Sequence, residues 1–265
     1  MVIGGRQSRS THATIPPPRY VGCARAHDEN RARVAQSVAT WRRTLNFIDE
    51  WSNIRCMDMH TASRRRGRPP KELAGYSETR EVLVRAGVAA LTEKGFSATG
   101  IDEILRSVNV PKGSFYHYFG SKEEFGLELI ERYAAYFARK LDRFFTDESK
   151  SPLQRFRDFV ADAEAGMQRY GFRRGCLVGN LGQEMAVLPE SHGIRLREVF
   201  ADWEARTARC LMDAQAAGEI ADGADCSQLA AFFWIGWEGA VLRAKLEGGP
   251  GALHTFANGF FAALG

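Results

Sequence analysis

From residue 77 onward apolar side chains recur every three or four positions, the spacing of helices that bury one face. Val82, Leu83, Ala86, Ala89, Ala90 and Leu91 predict a first helix over Ser77–Lys94, closed by Gly95. Thr99 then reads as the N-cap of a second helix, with Ile101, Ile104, Leu105 and Val108 inward. The turn Asn109-Val110-Pro111 leads into a third helix, which tolerates proline at its start. Ser121-Lys122-Glu123-Glu124 is a capping box opening a long fourth helix, whose apolar line is Phe125, Leu129, Tyr133, Tyr136, Phe137, Leu141 and Phe144. Ser151-Pro152 begins a helix running to about Tyr170, and a short one is expected from Cys176 to Val187. Three more cover 192–217, 226–247 and 252–263. No alternating strand pattern interrupts the series. The expected fold is all-α: an N-terminal three-helix helix-turn-helix over 77–122 and a C-terminal helical domain over 123–265.

Residues 1–63 lack this periodicity and read as a disordered leader. Met57 and Met59 stand just before the first domain-like stretch, so an over-long gene start is expected. Charge sharpens the division. Of 36 Lys+Arg and 32 Asp+Glu, residues 1–71 hold 14 and 5, leaving 22 and 27 for the rest. Residues 64–76 form a basic arm opening Arg-Arg-Arg-Gly-Arg-Pro-Pro-Lys. Its Arg66 and Arg68 flank a glycine, as in the core of an AT-hook, and such arms lie in narrow A·T-rich minor grooves. The unit 72–125 has 6 basic against 8 acidic residues, so the arm is expected to supply much of any salt-dependent attraction to DNA. Five cysteines without a CxxC pair suit a reducing compartment. With no apolar run of membrane-spanning length and no signal-peptide layout, a cytoplasmic protein with no membrane partner is expected.

A helix-turn-helix reads bases by laying the start of its second helix in the major groove. In Pro111-Lys112-Gly113-Ser114-Phe115-Tyr116-His117-Tyr118-Phe119, small Gly113 and Ser114 permit close approach, while Phe115 and Phe119 anchor the helix. Lys112, Tyr116, His117 and Tyr118 are spread over the rest as donors to phosphates and base edges. Lys122, in the next helix's first turn, can share a phosphate with free backbone N–H groups.

From Gly95-Phe96 through Phe125 the chain resembles the DNA-binding domain of TetR-family repressors, whose signature ends in KGxFYHYFxSKE. The resemblance implies an operator-binding homodimer, released by a small-molecule effector held in the helical C-terminal domain. It places Ser114, Tyr116, His117, Tyr118 and Lys122 at DNA-contact positions, with Thr99 in the N-cap slot beside a phosphate. Helix 226–247, apolar around nearly its whole circumference, would pack both on its own domain and on a partner copy.

Arg174-Gly175-Cys176-Leu177 and the later Trp237…Lys245 resemble a subgroup of the family responsive to acrylate or to electrophiles. That resemblance implies Cys176 as sensor, with Lys245 lowering the thiol pKa so that an α,β-unsaturated compound adds to it or binds beside it. Trp203, Trp237 and Arg173 are further effector-site candidates, the arginine as anchor for a carboxylate. Enzyme signatures are missing: no HExxH, paired carboxylates, phosphate loop or cofactor motif is present. A Cys176–His192 acyl-transfer pair is the one constellation left to check.

Overall fold

A computed structural model describes residues 71–264, with side chains from 78. The leader, Arg66 and Arg68 lie outside the described residues. The elements are α1 (Lys71–Lys94), α2 (Ile101–Ser107), α3 (Lys112–Phe115), α4 (Lys122–Phe145), α5 (Pro152–Arg169), α6 (Leu177–Gly182), α7 (Glu190–Ala216), α8 (Cys226–Glu247) and α9 (Gly251–Ala263). Every described element is helical, as the periodicity predicts.

Several boundaries differ from expectation. α1 begins at Lys71, so it takes in six residues assigned to the arm. Its buried line is Leu83, Val84, Ala86, Val88 and Leu91, whereas Val82, Ala89 and Ala90 are only half-buried. α2 is capped by Gly100 rather than Thr99. The Thr99 hydroxyl donates instead to the Gly95 carbonyl at 2.6 Å, and the residue is buried. α3 is a single turn, prolonged to Phe119 by bonds from the Tyr118 and Phe119 N–H groups to the Phe115 carbonyl. α6 stops at Gly182, five residues before Val187, and continues as turns.

The capping box forms with one change. Ser121 Oγ accepts from the Glu124 N–H at 3.0 Å, and Glu124 accepts from the Gly120 N–H at 2.8 Å. From there α4 runs unbroken out of the DNA-reading unit and packs on α5 and α7. α7 also packs on α8, and α8 on α9. The core between these helices is aromatic: Trp203 lies 4.4 Å from Phe137 and 4.9 Å from Trp234, and Phe156 lies 4.6 Å from Phe233. The Trp234 N–H reaches the buried Thr207 hydroxyl at 3.0 Å, satisfying both groups without water.

Candidate functional site

The reading surface is set by two phenylalanines. Phe115 and Phe119 are buried against Phe125, with ring centroids at 5.2 and 4.6 Å, which fixes the rotation of α3. Lys112, Gly113, Tyr116 and His117 are thereby exposed, and Ser114 and Tyr118 half-exposed, on one connected surface. Asn109 takes the left-handed conformation the tight turn requires, at φ 55°. A side chain at Gly113 would meet nothing within 4 Å, so internal packing does not call for glycine there.

Two lysines are placed differently from expectation. Lys112 pairs with Asp102, 3.0 Å away, which raises its pKa. Lys122 turns inward, donating to the Phe96 carbonyl at 2.9 Å with its ammonium 4.5 Å from the Phe96 ring centroid. Burial lowers its pKa, and its charge is spent on the α1–α2 loop. Thr99, with its hydroxyl buried, has no side-chain route to a phosphate.

Behind this surface, residues around α6 hold the reading unit. The Asn180 amide donates to the Leu91 and Thr92 carbonyls at 2.9 and 2.8 Å, tying α6 to the end of α1. The Gly175 N–H reaches Thr92 O at 3.0 Å, and Lys245 Nζ reaches Asn180 Oδ1 at 3.1 Å and Glu93 O at 3.3 Å. Just past α6, the Glu184 carboxylate accepts the Phe96 and Ser97 N–H groups at 2.8 and 2.7 Å. Gly95, at φ +82°, makes room for it: a Cβ there would sit 1.8 Å from Glu184 Oε1. Periodicity gives no sign of Glu184, which lies in a turn.

At the other end of α6 is a buried polar cluster. Cys176 is the N-cap, its Sγ accepting from the Gly179 N–H at 3.4 Å. The Tyr133 hydroxyl and the Glu238 carboxyl both face the thiol. Glu238 is half-buried, and its carboxyl lies against the first turn of α6, where a Cβ on Gly179 would lie 1.8 Å from Oε2. Burial raises Glu238 to about 7, against the opposing effect of a hydrogen bond with the Cys176 thiol. Burial and the nearby carboxyl in turn push the Cys176 thiol well above its ordinary value.

The expected activation of Cys176 by Lys245 is therefore not what the structure holds. Lys245 is committed to Asn180 and the end of α1, and an acid is the group against the thiol. Arg173 is exposed rather than turned inward. Trp237 packs on Phe233 at 5.7 Å, a core position. Trp203 is fully buried near Tyr133, its indole N–H without a partner. His192 is also apart from Cys176: its Nε2 donates to the Glu123 carbonyl at 2.9 Å and its ring edges Phe96, so the acyl-transfer pair is not assembled. Tyr133 and Glu238 were hidden in the sequence, one in a core line and the other among apolar neighbours.

On the outside of α8, Phe232, Ile235, Leu242 and Leu246 are exposed, spaced with Gly239 between them at alternating three- and four-residue steps. Among the described residues no helix is long and apolar enough to cross a membrane.

Comparison with known proteins agrees with this architecture. Residues 75–129 match the bacterial regulatory proteins of the tetR family, and 152–260 match the tetracyclin repressor-like C-terminal domain. The chain is 55% identical over 197 residues to the transcriptional regulator AcuR of Cereibacter sphaeroides, covering 74% of this chain and 88% of that protein. It is 28% identical over 170 residues to the transcriptional repressor NemR of Escherichia coli K12, covering 64% and 85%. A crystal structure of a regulatory protein TetR from Rhodobacter sphaeroides superposes with TM-score 0.68 at 56% identity, over 69% of this chain and 96% of that one. The chain belongs to the TetR family of helix-turn-helix transcriptional regulators.

Proposed function

We propose that this regulator represses transcription as a homodimer on a two-half-site operator and is released by reversible binding of a small effector, acrylate or a related α,β-unsaturated compound. The observation that carries the release step is the placement of α6. Its N-cap, Cys176, belongs to the buried cluster, while Asn180 and Glu184 at its far end grip the reading unit. A ligand that parts Cys176, Tyr133 and Glu238 moves a helix bonded to the end of α1. Lys112, Gly113, Ser114, Tyr116, His117 and Tyr118 are the surface offered to DNA, with Arg66 and Arg68 of the basic arm in the adjacent minor groove. The apolar stripe on α8 supports the dimer, since its three-four spacing is that of helices packed along a seam.

The alternative, covalent sensing through Cys176, is less well supported, because a thiol kept protonated is a poor nucleophile. Operator release on titration with acrylate, followed by fluorescence anisotropy on a fragment selected from random DNA, separates the two. Reversible binding predicts that Cys176→Ser still releases and that intact mass is unchanged after exposure. Loss of release in that variant together with an acrylate adduct on the wild type overturns it.

A further inference from the structure

The Glu238 carboxyl is the buried group whose surroundings ask for something more. From α4 it meets the Tyr133 hydroxyl region, and from the start of α6 the Cys176 thiol and Gly179. From α7, Trp203 lies 6.4 Å from the Tyr133 ring, its indole N–H without a partner. The nearby cations are engaged with other partners. Lys245 is bonded to Asn180 and the α1 carbonyls, and Arg174 lies on the Tyr170 ring beside Glu93. On α9, His254 pairs with Glu164. Among the described residues Glu238 has no ion pair. A second carboxylate brought to this place would leave two like charges in a medium that solvates neither.

Resting on the proposed effector reading, we infer that the cluster of Tyr133, Cys176 and Glu238 takes a small monocarboxylate together with a proton, so that Glu238 and the ligand share one hydrogen between two carboxyl groups. When Glu238 is ionised the proton comes from solvent, and the complex carries one negative charge over both groups. The side chain then discriminates by charge: it accepts an anion only with a proton and accepts a neutral amide of the same shape without one. This specificity differs from that of an arginine-anchored site, which prefers the bare anion.

The test compares acrylate with acrylamide on the full-length wild-type protein. Acrylate affinity, from operator release and from calorimetry, should be level at low pH and fall about tenfold per pH unit once Glu238 ionises, as uptake of one proton requires. Calorimetry at pH 8 in two buffers of different ionisation heat should show uptake approaching one proton with acrylate and none with acrylamide. In Glu238→Gln the acrylate profile should become flat. Should that variant fail to fold, the wild-type proton count decides. Equal acrylate affinity at pH 6.5 and 8.5, or no proton uptake at pH 8, overturns this inference alone. Absence of any acrylate binding across the range overturns it together with the effector reading.

Discussion

Glu184 offers the sharpest test of how the reading unit is attached. Replacing it with alanine strips the acceptor from the Phe96 and Ser97 N–H groups, which it now holds at 2.8 and 2.7 Å. Hydrogen bonds to a charged partner contribute about 1.5–3 kcal/mol each. Ser97 is exposed and water can replace most of its bond, whereas Phe96 is half-buried and loses more. A net loss of about 2 kcal/mol follows, and for a domain of roughly 150–250 residues that lowers Tm by roughly 4–8 °C. Hydrogen exchange of the Phe96 amide should quicken by more than tenfold, with the Trp234 region unaffected. Glu184→Gln, which keeps one acceptor oxygen, should fall between. Unchanged melting and unchanged exchange at Phe96 in the alanine variant would show that the clamp contributes nothing.

Four further outcomes are expected. Gly113→Ala meets no internal neighbour, so it should stabilise the fold by up to about 1 kcal/mol while weakening operator binding at least tenfold in anisotropy titrations. Leu246→Glu, at a position 78% exposed on the α8 stripe, should yield monomers by analytical ultracentrifugation without lowering helix content in circular dichroism. Glu238 has its folded pKa raised from 4.5 to about 7, so the folded state binds a proton the unfolded chain has lost across that window. Its contribution to stability should therefore fall as pH rises through 4.5–7, by at most about 3 kcal/mol. Urea melts of wild type and Glu238→Gln at pH 5 and 8 check this, the variant gaining relative to wild type at the higher pH. Removing residues 1–70 should weaken operator affinity and reduce the salt slope, and an unchanged slope would exclude the basic arm from DNA binding.

The helix series and the orientation of the reading helix were legible because both rest on local rules: 3.6-residue periodicity, a capping box, and phenylalanines four residues apart. Thr99 shows where such rules stop. A threonine before an apolar run suits an N-cap, but the left-handed turn at Gly95 presents a carbonyl that captures the hydroxyl first. Lys122 shows the same for charge, since residue type says a cation is present and only the fold says it faces Phe96. The buried cluster was half visible. Cys176 stood out, but its electrostatic partner is decided by how α8 rotates, and that sets the Glu238 carboxyl against the thiol while the Lys245 ammonium bonds Asn180. Residues brought together from α4, α6 and α8 leave no signature in their spacing along the chain.

The ion pair between Lys112 and Asp102 bears on how such a surface chooses its site. Any duplex that draws Lys112 away leaves Asp102 facing a phosphate-rich groove, a penalty common to all sequences. Only a site whose base edges and phosphates engage the whole of the 112–118 surface can offset it. On the proposed DNA-contact reading, a resident acid beside the leading lysine thus lowers affinity for every duplex alike, and leaves the protein seated only where the remaining contacts are strong enough to hold it.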